Sequence, residues 1–239
     1  MTSRRTALIG GGASGIGFAV AECLAAAGHD LILAGRRRSR LEKAAAALGS
    51  TWLVLDVAVD CPPVVTEVDV LVLNAGGPPP GRVLDVDDDG WQHAFDLLLR
   101  GPLRLARAAL PAMAARGFGR VVFVTSTAVR QPQPDLATSV VLRAAVTSAA
   151  KLLSREYADH GVTVNCVAPG PTATDRRNEI LAARGAFAEA DAADLATVPA
   201  GRAGRPEEIG AAVAFLASAA ASYVNGTVLT VDGGRTETP

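Results

Sequence analysis

The sequence predicts a single α/β domain, residues 1–239, built on one doubly wound parallel sheet of about seven strands flanked by helices. Three observations predict it. Short apolar runs alternate with helical patterns along the whole chain. Those runs lack a clean in-and-out alternation, as strands buried on both faces of a parallel sheet do. No repeat, linker or low-complexity tract divides the 239 residues, although alanine is heavily used, and that length supports one large core.

The strands are read, in order, at 6–10 (TALIG), 31–35 (LILAG), 51–55 (TWLVL), 69–74 (DVLVLN), 120–125 (RVVFVT), 162–167 (VTVNCV) and 227–231 (TVLTV). Most are rich in branched residues, and most are bounded by glycine, asparagine or aspartate. Helical patterns fill 15–28, 39–48, 91–116, 136–160 and 206–220. Gly49 and Gly161 stand where the second and fourth of these end, as helix C-termini favour. Between the third and fourth strands, Pro62 and Pro63 leave room for a stunted helix at most.

Composition excludes several classes of function. The chain is 49% hydrophobic and 20% charged, with a formal net charge of −1, which describes an ordinary soluble protein. Neither nucleic acid nor a membrane is expected as a partner, since there is no basic excess and no apolar run of spanning length. The arginine cluster at 35–40 suits a small anion or plain solubility. Cys23, Cys61 and Cys166 are odd in number and widely spaced, with neither a disulfide framework nor metal-ligand spacing. A reducing, cytoplasmic setting is expected, and the N-terminal apolar run is too short for a signal peptide.

The first strand runs into GGGASGIG and then into a helix. That order of strand, glycines and helix is the dinucleotide-binding pattern of a Rossmann-like fold. Gly11, Gly15 and Gly17 permit the tight turn and close backbone approach that seat a pyrophosphate on the helix N-terminus. Ser14 adds a hydroxyl, and Ile16 lies between the last two glycines. After the second strand come Arg36 and Arg37 rather than a carboxylate. A guanidinium suits a ribose 2′-phosphate, so NADP(H) is favoured over NAD(H). A solvated basic helix start is the plainer alternative.

With these motifs in place, the chain resembles the short-chain dehydrogenase/reductase family from about residue 5 to residue 234. The glycine loop is similar to that family's TGxxxGIG, with Gly10 in place of threonine. By the same resemblance, Asp56 and Val57 meet adenine, and Asn74, Ala75 and Gly76 form the NAG motif beside the cofactor. Pro169, Gly170, Thr172 and Thr174, in VNCVAPGPTATD, lie near the nicotinamide. The C-terminal stretches GRAGRPEEIGAAVAFLAS and SYVNGTVLTVDGG also match. The resemblance further implies a small-molecule substrate and a homodimer or homotetramer, formed through the helix faces at 91–116 and 136–160. It makes 175–199 a mobile substrate-covering lid.

The family's catalytic set is an asparagine, a serine, a tyrosine and a lysine, and here the match breaks. The serine is present as Ser126, but the other three positions hold Leu98, Ser139 and Arg143. Tyr157 has no lysine four residues on, and Lys151 points away from the face of Ser139. A tyrosine phenol, with a reference pKa of about 10, donates a proton far more readily than a serine hydroxyl. Losing such an acid costs about 10²–10⁴ in rate. Arg143 sits four residues after Ser139, on the same helix face, and supplies a permanent positive charge.

Three readings follow. The first is an NADP(H)-dependent oxidoreductase acting on a carbonyl or alcohol, with a rebuilt catalytic set of Ser126, Ser139 and Arg143. The second is a cyclase, dehydratase or isomerase on the same fold, with the cofactor unused for redox. The third is a catalytically silent binding protein. Plainer readings stand beside them: Ser126 as a backbone-satisfied buried serine, Ser139 as a helix-start hydroxyl, and Arg143 as a salt-bridged surface residue.

Overall fold

The computed structural model describes residues 4–238. Seven strands form one parallel sheet: β1 (Thr6–Gly10), β2 (Asp30–Gly35), β3 (Thr51–Val54), β4 (Val70–Leu73), β5 (Gly119–Val124), β6 (Val162–Pro169) and β7 (Val228–Val231). Their spatial order is β3-β2-β1-β4-β5-β6-β7. Every neighbouring pair is parallel, with Ile9 opposite Leu33 and Val72, and Phe123 opposite Leu73 and Cys166.

Adjacent strand residues feed opposite cores, which is why the apolar runs are continuous. On one face Ala7, Ile9, Val70, Val72 and Val122 pack under α1 (Gly15–Ala26), α2 (Arg38–Leu48) and a C-terminal helix (Pro206–Ala217). On the other, Leu8, Leu71, Val121, Phe123 and Val164 pack under helices at Gly101–Ala115 and Ala137–Glu156. In chain order the helices after α2 are α3 (Asp88–Phe95), α4 (Gly101–Ala115), α5 (Ala137–Glu156), α6 (Asp175–Ala183), α7 (Phe187–Leu195) and α8 (Pro206–Ala217).

The expected helix at 91–116 begins earlier and is interrupted. Asp87 caps α3 by accepting from Gly90 N at 2.8 Å. One wide π turn, Asp96–Arg100, then separates α3 from α4. Pro102 supplies the reason, because it has no N–H to give to the carbonyl of Leu98. The crossover from β3 to β4 shrinks, as expected, to a 3₁₀ turn at Pro63–Thr66. Helix α5 stops at Glu156, and a separate 3₁₀ turn precedes Gly161, whose φ is 71°.

The sheet order reverses between β1 and β4. Chains leaving those strands at their carboxyl ends diverge to opposite faces and open a crevice there, where ligands of such sheets bind.

Candidate active site

That crevice is one continuous cavity of about 1020 Å³ running from α1 to α6. It collects the residues that the sequence singled out. Of the expected site residues, all but Gly17 line it.

At one end lies the glycine loop. Gly11 and Gly15 have φ of 62° and 52°, the left-handed region that glycine alone enters freely. Gly17 contributes by closeness instead: a Cβ there would lie 2.1 Å from the carbonyl oxygen of Gly11, with only backbone to move. Asn74 Nδ2 donates to Gly10 O at 3.1 Å and ties the loop to the end of β4. The Ser14 side chain caps nothing, so the first-turn N–H groups of α1 border the cavity without a side-chain partner. This is an anion seat.

Arg36 and Arg37 are exposed on the same wall and make no ion pair among the described residues. Their neighbours are engaged, Arg38 with Glu42 and the Trp52 ring, and Arg40 with Asp175. Asp56 Oδ1 accepts from Ala58 N at 3.0 Å, fixing the turn that carries Val57. Ala75 and Gly76 floor the middle of the cavity, and a Cβ on Gly76 would meet nothing within 4 Å. Across from them, Gly170 N donates to Val231 O at 3.0 Å. Thr172 Oγ1 donates to Gly170 O at 3.0 Å, and Thr174 caps α6 by accepting from Arg177 N at 3.3 Å.

The far end holds the three candidate catalytic residues. Ser126 sits just after β5, and its Oγ accepts from Ala128 N at 3.1 Å. Arg143 Nε donates to Ser139 Oγ at 3.1 Å, and its Nη1 donates to Val124 O at 2.7 Å. Helical spacing and a strand-end carbonyl thus hold the guanidinium in a fixed plane. It has no carboxylate partner among the described residues, so it is not a salt-bridged surface arginine. Burial, and after it the charge of Arg176, pushes the Arg143 pKa down to about 10, and the side chain stays cationic at neutral pH. Leu98 does not reach the cavity; it packs with Ala94, Leu97 and Leu142, beside Arg143 on α5. Among the described residues, no tyrosine, histidine, lysine or cysteine lines the cavity.

Residues 175–199 fold as α6 and α7 over this end, joined through Gly185 at φ 127°. The sequence reading missed the charges that tie them down. Arg177 donates to Asp194 Oδ2 through Nε and Nη2 at 3.1 and 2.9 Å, and to Asp191 at 2.6 Å. Arg235, from the tail after β7, reaches Asp194 at 3.3 Å. Arg184 bonds Asp135 at 2.7 Å and lies 3.8 Å from Asp194. Burial raises the Asp135 pKa, but the Arg184 hydrogen bond, the Arg184 charge and a backbone hydrogen bond together outweigh it and the net shift is downward. Asp194 is the hub, with its side chain only 6% exposed. The run DRR after Thr174 was the available signal, but its partners are remote in sequence.

A family model described as Enoyl-(Acyl carrier protein) reductase matches residues 11–236. The 3-oxoacyl-(acyl-carrier-protein) reductase FabG of Salmonella typhimurium is 34% identical, over 96% of this chain and 96% of its own. The chain belongs to the short-chain dehydrogenase/reductase family. Another relative in the family is a galactitol 2-dehydrogenase (L-tagatose-forming) from Cereibacter sphaeroides, 37% identical over 96% of this chain and 94% of its own. Among solved structures, the actinorhodin polyketide ketoreductase with NADPH superposes at a TM-score of 0.92, with 28% identity and full coverage of both chains (100% each). YwfH, an NADPH-dependent reductase of bacilysin biosynthesis, also gives 0.92, at 27% identity over 99% of this chain and 100% of its own. Family members of this kind are oxidoreductases on a Rossmann-like fold. No helix among the described residues is long and apolar enough to cross a membrane.

Proposed function

We propose that this chain is an NADP(H)-dependent oxidoreductase acting on a small carbonyl or alcohol compound, with Ser126, Ser139 and Arg143 as its catalytic residues. The observation that carries the reading is the single cavity. Its one end offers an anion seat on α1 beside two guanidiniums that make no ion pair among the described residues, and its other end offers hydroxyls and a half-buried cation. The groups present fit a dinucleotide: backbone N–H groups for the pyrophosphate, Arg36 and Arg37 for a 2′-phosphate, and Asp56 and Val57 at the adenine. Pro169, Gly170, Thr172 and Thr174 lie along the nicotinamide end. When bound, the cofactor supplies or accepts the hydride.

The chain's own residues then manage the oxygen and its proton. Ser126 Oγ accepts from Ala128 N, so its hydroxyl proton is available to hold the substrate oxygen. Ser139 Oγ accepts from Arg143, so its hydroxyl proton is likewise available to pass on. Loss of that proton leaves an oxyanion at hydrogen-bond distance from a fixed cation, which lowers its cost. Water then restores the Ser139 proton. With no phenol at hand, this relay works against the higher basicity of serine, and turnover below that of tyrosine-bearing relatives is expected.

A non-redox reaction remains the second reading, favoured by the absence of a tyrosine phenol from the lining among the described residues. In it Ser126 and Arg143 steady an enolate and the nicotinamide is idle. Exposed Phe95, Val141 and Leu152, on the segments expected to pair copies, support a homodimer or homotetramer. Three free cysteines fit a cytoplasmic setting.

Calorimetric titration with NADPH and with NADH tests the cofactor. NADPH is expected to bind more tightly, and Arg36→Ala to weaken it by about tenfold or more while leaving NADH unchanged. Equal binding of both by the wild type, or none, defeats the NADP assignment.

A further inference from the structure

The lid end of the cavity carries two guanidiniums with N–H groups to spare. Arg143 bonds only neutral oxygens, those of Ser139 and Val124, and its Nη2 has no protein partner. Arg176, on the first turn of α6, sends Nη2 to the carbonyl of Pro78 and Nη1 to Glu179 at 3.3 Å. Its Nε is unbonded among the described residues. Glu179 is itself largely exposed, at 66%, so it offsets little of the charge.

Arg176 is held there by the loop after β4. Its guanidinium lies against Gly77, where a Cβ would stand 2.9 Å from Nη2 and 3.0 Å from Nε. The glycine therefore lets the arginine lie against the proline-stiffened loop and line the same cavity as Arg143. Each of the other lid arginines, Arg177 and Arg184, already has an aspartate within 3 Å. Like charges gathered at a half-buried wall are costly without a counter-ion, and a planar fork of donors grips a small oxyanion such as a carboxylate bidentately.

We propose that Arg176 and Arg143 together seat a carboxylate of the substrate, which makes the substrate class an oxo acid or the corresponding hydroxy acid. The inference rests on the oxidoreductase reading for the reaction but not for the binding. The carboxylate lies at the lid end, its neighbouring carbonyl beside Ser126 and Ser139. Arg176 is the specificity residue and Gly77 its positioning residue.

The test is direct binding, which needs no turnover. Pyruvate, acetoacetate and levulinate, and the methyl ester of each, are titrated calorimetrically into the protein with and without NADPH. At least one acid is expected to bind about tenfold or more tightly than its ester. Arg176→Gln is expected to abolish that preference while NADPH affinity stays as in the wild type. Gly77→Ala, which displaces the tip of a flexible side chain rather than backbone, is expected to weaken the acid too. Inorganic phosphate is titrated alongside, and is expected to bind no more tightly than the best acid. No acid preferred over its ester, or a preference that survives Arg176→Gln, overturns the assignment. Phosphate binding that exceeds the acids and disappears in Arg176→Gln overturns the carboxylate in favour of a phosphate ester. Acid binding without any NADPH oxidation would leave this site standing and remove the redox reading instead.

Discussion

Arg143→Ala is expected to lower kcat by about 10²- to 10³-fold, the usual cost of removing one donor aimed at a developing oxyanion. Two groups lose their partner at once, since Arg143 serves both Ser139 Oγ and Val124 O. Ser139 would keep its hydroxyl but lose the cation that stabilises it without its proton. Arg143→Lys separates charge from shape. An ammonium carries the charge but lacks the planar fork that reaches both oxygens, so it should recover only part of the rate. Steady-state kinetics on all three proteins, with circular dichroism as a check on folding, reads the effect. Full activity in Arg143→Ala would place the chemistry elsewhere in the cavity.

Asp194→Ala is expected to be the most destabilising single change in α6 and α7, at about 3 kcal/mol, the low end for breaking a buried pair. Its carboxylate is nearly buried and joins α6, α7 and the tail through Arg177 and Arg235. The low end applies because Arg177 keeps Asp191 and Arg184 keeps Asp135. Arg235 keeps no acidic partner. Asp194→Asn retains the shape and one acceptor and should lose less. Amide hydrogen exchange across α6 and α7 reports local opening, and the urea midpoint reports any global part. Unchanged exchange in both variants would mean that packing alone, not the charge hub, holds these helices down.

The sheet was legible because its central strands are buried on both faces and most of its strands are bounded by breakers, so each apolar run marks a strand within a residue or two. The helix at 91–116 starts earlier than its apolar periodicity indicates because Asp87 caps it four residues before Trp91. Its π turn was missed because the disruption depends on where Pro102 falls relative to the Leu98 carbonyl, which periodicity does not register. The glycine-loop end of the cavity was legible because short local motifs build it. Ser139 and Arg143 were legible as a pair because four residues is one helical turn. The ion pairs that tie α6 and α7 down were not, since Arg177, Asp194 and Arg235 meet only after folding. Nor was Arg176, whose position depends on a glycine 99 residues earlier, Gly77.

The central claim is that a Ser139–Arg143 pair still supports hydride transfer in this fold. It is tested most directly by supplying NADPH deuterated at C4 with a panel of carbonyl compounds and examining the products by mass spectrometry. The account predicts an alcohol carrying one deuterium at the former carbonyl carbon, formed at a rate that falls in Arg143→Ala. A product formed without deuterium, at a rate indifferent to the nicotinamide, would contradict it and assign the cavity to non-redox chemistry.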